Sequence, residues 1–205
     1  IATRRGGKGI KENIISLKQF TETAGVAHAN ELISKYENKL DKDLEDFLKE
    51  KAVLFEKLGK SRTFFVFSTE NNHFDLLGYF TIALSILRIP EEFSKRKIKQ
   101  FDGFSSKIKN QKLTEIPSIL IGQLGKNTGS FKTIKGDDLI AHCLAAIYQG
   151  QQYIGGRVII LECKNNNYLK TFYERHGFNL LDKKYRKDEL LVFSKIIDEK
   201  DLLSL

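Results

Sequence analysis

The stretch that decides the fold opens with Ile116-Pro117-Ser118-Ile119-Leu120-Ile121-Gly122-Gln123-Leu124-Gly125 and closes with Phe172-Tyr173-Glu174-Arg175-His176-Gly177-Phe178. Between them the chain reads as an apolar strand from Ser118 to Lys126, a polar loop, and a helix starting near Asp137. A second strand, Arg157 to Lys164, leads into a second helix, Asn166 to His176. Each helix follows a strand that can lie parallel to its neighbour. The order predicts an α/β (α+β) fold with a mixed, twisted central sheet flanked by helices.

Working outward, Leu44, Phe47, Leu48, Ala52, Phe55 and Leu58 recur at helical spacing, with acids early, lysines late and Gly59 as a stop. Thr63 to Phe67 then reads as a strand, Glu70 to His73 as a turn, and Leu76 to Leu84 as the returning strand of a hairpin. Before this, Ile14, Ile15, Leu17 and Phe20 fit strand or helix, and Glu31 to Tyr36 fits a helix. After the central stretch, Leu180-Leu181 continues a short strand. Asp182 to Asp188 makes a charged turn, and Leu190 to Ile197 the last strand. The expected organisation is an N-terminal extension at 1–36, with a basic arm carrying Arg4, Arg5 and Lys8. One domain follows at 37–198, then a tail at 199–205.

The 205 residues are 41% hydrophobic, enough for a full core, and the formal charge of +8 favours an anionic partner, either a nucleotide cofactor or a nucleic acid. No apolar run approaches the roughly twenty residues needed to span a bilayer, and no apolar stretch follows the opening arginines as in a signal peptide. A cytoplasmic protein without a membrane partner is expected. Cys143 and Cys163 lack Cys-x-x-Cys spacing and read as reduced core thiols. The histidines at 28, 73, 142 and 176 lack the i, i+4 pairing of a helical zinc site, so no metal is expected. Gly59-Lys60-Ser61 has Leu54 where a P-loop needs its first glycine, and no Gly-x-Ser-x-Gly elbow occurs.

The run Asn166-x-x-Leu169-x-x-Phe172-Tyr173-x-x-x-Gly177-Phe178 resembles the Asn-x-x-Ala-x-x-Phe-Tyr-x-x-x-Gly-Phe of the GCN5-related N-acetyltransferases, the GNAT superfamily. The resemblance implies an acetyl-CoA-dependent N-acetyltransferase with its fourth and fifth strands splayed. Main-chain groups at Gln123, Leu124 and Gly125 would hold the acetyl and pantetheine portion, and Asn166 would contact the pantetheine or phosphate arm. Tyr173 would face the sulfur as proton donor. Relatives usually carry Arg/Gln-x-x-Gly-x-Gly/Ala as a phosphate loop. Here Phe131-Lys132-Thr133-Ile134-Lys135-Gly136 keeps the last glycine alone. Lys132, Thr133, Lys135 and Gly136 would supply charge, hydroxyl and backbone donors, while Asp137 suits a helix start and repels phosphate. The same residues also fit a plain basic surface loop. Leu169, Phe172 and Tyr173 equally fit the apolar stripe of a short helix ended by Gly177. Gln123 cannot accept a proton, which leaves Glu162, acting through water, as the candidate base.

Asp43 to Ala52, Ser61 to Phe67 and Leu76 to Ala83 are similar to the front half of the acetyltransferase toxins of bacterial toxin-antitoxin modules, and the likeness extends over Leu40 to Ile197. It implies transfer to the amino group of aminoacyl-tRNA, with an antitoxin or a second copy (a homodimer) as protein partner. A catalytically silent GNAT-like module that binds nucleic acid or a protein is the alternative. Between Ile89 and Glu115, Lys95, Arg96, Lys97, Lys99, Lys107, Lys109 and Lys112 outnumber Glu91, Glu92, Asp102 and Glu115. Two readings stand level for this connection: phosphate binding with Phe101 and Phe104 for stacking, or a solvated loop.

Overall fold

A computed structural model of the chain describes residues 12–70, 73–181, 186–187, 190–198 and 201. The basic arm and most of the charged turn at 182–188 lie outside them. In order, the elements are β1 (Glu12–Ser16), α1 (Leu17–Ala24), α2 (Val26–Ser34), α3 (Lys42–Asp46), a π turn (Phe47–Lys51), α4 (Ala52–Lys57), β2 (Arg62–Glu70) and β3 (His73–Arg88). They continue as α5 (Lys95–Asp102), β4 (Lys107–Ile108), β5 (Gln111–Lys112), β6 (Glu115–Lys126), α6 (Gly136–Ile154), β7 (Val158–Cys163), α7 (Asn167–Arg175), β8 (Asn179–Leu180), β9 (Arg186–Lys187) and β10 (Leu190–Ile196). One sheet runs β1-β2-β3-β6-β7-β10-β8, with β9 paired to β10, and β4 and β5 form a separate hairpin. β6 and β7 pair in parallel, as the intervening helix requires. The chain divides into two compact units, Ile1–Ala83 with Gly122–Ala146 and Leu84–Ile121 with Ile147–Leu205.

In the first unit the β2–β3 hairpin sets the layers. Its register places Phe65 opposite Tyr79 on one face and Phe64 opposite Phe80 on the other, where the rings stack at 5.0 Å. Against the first face pack Leu17 of α1, Ala29, Leu32 and Ile33 of α2, and Leu48 and Ala52, all in one buried cluster with Phe65, Leu76 and Tyr79. Each leucine or isoleucine of this set contributes about 2 kcal/mol by leaving water, and each alanine less than half of that. The single helix expected over Leu44 to Leu58 is interrupted. The Ala52 N–H reaches back five residues to the Phe47 carbonyl, so the run holds one residue more than an α-helix needs. Leu48, Ala52 and Glu56 still face inward. Glu56 is buried with partners: its carboxylate accepts from Arg62 Nη1 at 2.7 Å and from the Thr63 N–H at 3.0 Å. Gly59 ends the helix at φ +67°, as the sequence predicts.

In the second unit β7 is buried from Val158 to Leu161. It is paired with β6 from Ile119↔Ile159 to Ile121↔Leu161 and with β10 from Val158↔Ile196 to Cys163↔Leu191. The connection from Ile89 to Glu115 is no loop, because Ile98 and Phe101 stand three apart and drive a helix. Both join Leu87, Phe93, Val158, Ile160, Leu181 and Val192 in a second core. This corrects the expectation for Phe101, which is 5% exposed and stacked on Phe93, and so cannot receive a base. Lys97 also leaves the set of free cations. Its ammonium sits 3.7 Å from the Phe93 ring and donates to the Leu181 carbonyl at 3.2 Å.

No helix is long and apolar enough to cross a membrane among the described residues, and no His/Cys/Asp/Glu group among them could hold a metal. Cys143 and Cys163 are free thiols, both buried, and burial pushes Cys163 up to about 11.

Candidate functional site

In the first unit, strand geometry sorts the main-chain groups expected at Gln123, Leu124 and Gly125. The Asn127 N–H donates to the Leu77 carbonyl on β3 at 2.8 Å, while the Lys126 carbonyl accepts from Tyr36 Oη at 3.2 Å and Asn38 Nδ2 at 3.1 Å. Consecutive residues of a strand turn their polar groups to opposite edges. Gln123 and Gly125 therefore share the orientation of Asn127 and face β3, whereas Leu124 shares that of Lys126 and faces away. Of the three N–H groups, Leu124 is the one turned to the edge that β3 does not use.

Gly125 is explained from inside the protein. A side chain there would sit 2.5 Å from Tyr36 Oη and 3.1 Å from Leu44 Cδ1. The close approach expected at this glycine is made by the chain's own tyrosine. Tyr36 packs edge-on against Tyr79 at 5.2 Å, and burial holds both phenols well above the usual tyrosine range.

Tyr36, Asn38 and Asn127 are the polar residues that the sequence did not single out. Asn127 is 5% exposed. Its carbonyl oxygen accepts from the Glu37 N–H at 3.1 Å and the Gly129 N–H at 3.0 Å, and its amide donates to the Leu76 carbonyl at 2.8 Å. The end of β6 is thereby fastened to the segment after α2. An asparagine directly after a long apolar strand was the available signal, since a polar amide there needs partners.

The loop toward α6 is divided in its use. Ile134 is buried at 2% exposure, and Phe131 stands fully in solvent. Lys132 lies 3.5 Å from both Asp75 Oδ2 and Ser68 Oγ, so its charge is already engaged. Thr133 and Lys135 are exposed, Gly136 opens α6, and the Lys135 carbonyl accepts from the Leu139 N–H at 3.1 Å. Asp137 and Asp138 occupy the first turn, where they suit the helix dipole and oppose an anion.

In the second unit, Asn166 caps α7. Its side-chain oxygen accepts from the Tyr168 N–H at 2.7 Å and the Leu169 N–H at 3.4 Å, which leaves its NH₂ as the group it can offer. Tyr173 lies on the buried face of the same helix, 8% exposed, with its ring 6.0 Å from those of Phe178 and Phe193. Phe172 and Phe178 are core residues, and the φ of +80° at Gly177 ends the helix. Glu162 is exposed on β7 opposite Val192. This unit thus supplies a phenol held by three aromatic neighbours on a capped helix, and the first supplies a strand N–H and a lysine-bearing helix start.

No protein-family model and no curated protein matches the sequence. Solved structures do match. AtaT complexed with acetyl-methionyl-tRNAfMet is 21% identical with a TM-score of 0.66, over 95% of this chain and 99% of that one. A tyrosine-to-phenylalanine mutant of KacT is 20% identical with a TM-score of 0.65, over 94% and 98%. AtaTR bound with AcCoA is 20% identical with a TM-score of 0.62, over 94% and 97%. At these identities the likeness shows the fold, and the chain has the GNAT fold that its motifs imply.

Proposed function

We propose that this chain is an acetyl-CoA-dependent N-acetyltransferase of the bacterial toxin type, acting in the cytoplasm on the α-amino group of aminoacyl-tRNA. The observation that carries the reading is the near-complete overlay on AtaT complexed with acetyl-methionyl-tRNAfMet. A tyrosine at the motif position of α7 and a strand N–H at Leu124 add support from the chain itself. The acetyl thioester supplies an activated acyl group. The residues present fit such a group at the strand, and give a thinner grip on its phosphates than a glycine-rich loop would.

The bond that forms joins the acceptor nitrogen to the acetyl carbon, and the bond that breaks is carbon to sulfur. The Leu124 N–H would polarise the carbonyl oxygen. The Tyr173 phenol would protonate the departing sulfur. Lys135, Thr133 and the Gly136 N–H would take phosphates at the start of α6, and the free NH₂ of Asn166 would orient the arm. An α-amino group, with an ordinary pKa near 8, is partly neutral at pH 7 and needs less help from a base such as Glu162.

A silent module is the second reading, favoured by the engagement of Lys132 with Asp75 and by the carboxylates in the first turn of α6. Calorimetry with acetyl-CoA separates the two. Micromolar binding supports the enzyme, and no heat at millimolar cofactor supports the silent module. Acetyl transfer to charged but not uncharged tRNA then tests the acceptor.

A further inference from the structure

Helix α5 and the β4–β5 hairpin carry an unusual division of labour. The inner side is fixed: Ile98 and Phe101 of α5, with Phe93 and Leu113 at the flanks, lie in the core of the second unit. The outer side is cationic. Lys95, Arg96, Lys99, Lys107 and Lys109 are exposed, and among the described residues none of them is paired with a carboxylate. The acid of this segment, Asp102, is spent on the Ser105 N–H at 2.8 Å.

The hairpin buries none of its own residues. Lys107 stands directly opposite Lys112 in its register, an arrangement of like charges that disfavours the pair. Lys109 sits in the turn at φ +48°, where Asn or Gly is the ordinary choice. Two local rules are thus broken where lysines stand outward beside a helix anchored by Ile98 and Phe101.

Phe104 completes the surface. It follows Gly103, which ends α5 at φ +89° in the left-handed region, and it is 86% exposed. The Arg157 guanidinium fills the space that a side chain at Gly103 would occupy, so a sixth cation lies against the residue that precedes Phe104.

We infer that α5 and the β4–β5 hairpin form a docking surface for single-stranded RNA, with one base stacked on Phe104 and its flanking phosphates on Lys99, Lys107, Lys109 and Arg157. Positive charge alone would serve any polyanion, whereas an exposed aromatic ring carried on the same cationic segment suits an unpaired base and its own phosphates. The identity of this RNA as the 3′ end of a transfer RNA rests on the acceptor proposed above. The docking itself does not.

The test uses the full chain and a labelled twelve-nucleotide single strand with the 3′-end sequence of a tRNA, read by fluorescence anisotropy across a salt series. Phe104→Ala weakens binding by about five- to a hundredfold, as expected for loss of one base-aromatic stack, with an unchanged melting temperature. Phe104→Tyr restores it. Lys109→Asn suits the turn better and lowers the salt slope by about 0.7, as does Lys107→Gln. Equal affinity in wild type and Phe104→Ala would overturn the proposal, and so would equal binding of a blunt RNA duplex by both. Acetyl-CoA calorimetry on the same samples keeps the two ideas apart. A chain that takes RNA through Phe104 yet binds no cofactor retains this surface and loses the enzymatic reading. A chain that binds cofactor and is indifferent to Phe104 loses the surface alone.

Discussion

The phenol oxygen of Tyr36 lies 3.2 Å from the carbonyl oxygen of Lys126, and the side-chain amide of Asn38 donates to both. This arrangement ties the residues after α2 to the last residue of β6 on the edge that β3 does not use. It also accounts for the glycine at 125, above which the tyrosine passes.

Gly125→Ala is expected to lower stability by about 1–3 kcal/mol, because the new methyl group meets Tyr36 Oη and Leu44 Cδ1. Tyr36→Phe alone costs about 1 kcal/mol for its lost hydrogen bond. The double mutant is less destabilised than the sum, since removing the hydroxyl opens the space. Urea midpoints of the four proteins check the coupling, and strict additivity would refute the contact.

Asn127→Ala removes one acceptor serving two N–H groups and one donor serving the Leu76 carbonyl. A loss of about 3 kcal/mol is expected, with hydrogen exchange accelerated first at Glu37 and Gly129. A change under about 0.5 kcal/mol would mean that water replaces the amide at no cost.

Tyr173→Phe keeps the ring and its packing on Phe178 and Phe193, so the melting temperature stays within a few degrees. Turnover falls by about 10²–10⁴-fold while acetyl-CoA affinity is nearly unchanged, as expected for loss of a proton donor. Full activity in this mutant would remove the phenol from the chemistry.

Acid should loosen the start of α3 through Glu45. Hydrogen bonds from Lys42 at 2.8 Å and Lys49 at 2.9 Å, and the Asn38 N–H at 3.2 Å, hold this carboxyl down at about 2 against an ordinary 4.5. A depressed folded pKa stabilises the protein above the unfolded value, and that contribution is lost as pH falls from 4.5 towards 2. The melting-temperature gap between wild type and Glu45→Gln is therefore present at pH 6, closes between pH 4.5 and 2, and narrows in molar salt. A gap unchanged at pH 2 would contradict the assignment.

The strands were legible because their apolar runs are long. Ser118 to Lys126 and Arg157 to Lys164 came within a few residues of β6 and β7, and Asn166 marked the start of α7. Periodicity failed where the chain departs from a regular spiral. The π turn keeps Leu48, Ala52 and Glu56 four apart, a spacing that also describes an unbroken helix. The lysines of α5 masked the two inward residues, Ile98 and Phe101, that make it fold. Tyr36 and Asn38 are hidden for another reason: their partner is the Lys126 carbonyl some 90 positions away, and no local pattern announces such a bond, whereas Asn127 shows only as a polar residue after an apolar strand, with nothing to name its partners.

The bond from Ala52 to Phe47 has a further implication for how this region tolerates change in length. A turn with a surplus residue is a reserve of contour. Deleting exposed Glu50 would let the coil tighten to its ordinary pitch, and Leu48 and Ala52, then three apart, would still share a face. The same one-codon loss within β2 would reverse the two sides of the strand and expose Phe65. Shortened natural or engineered versions of this chain should therefore lose their residue at 47–51 and keep every position of the hairpin.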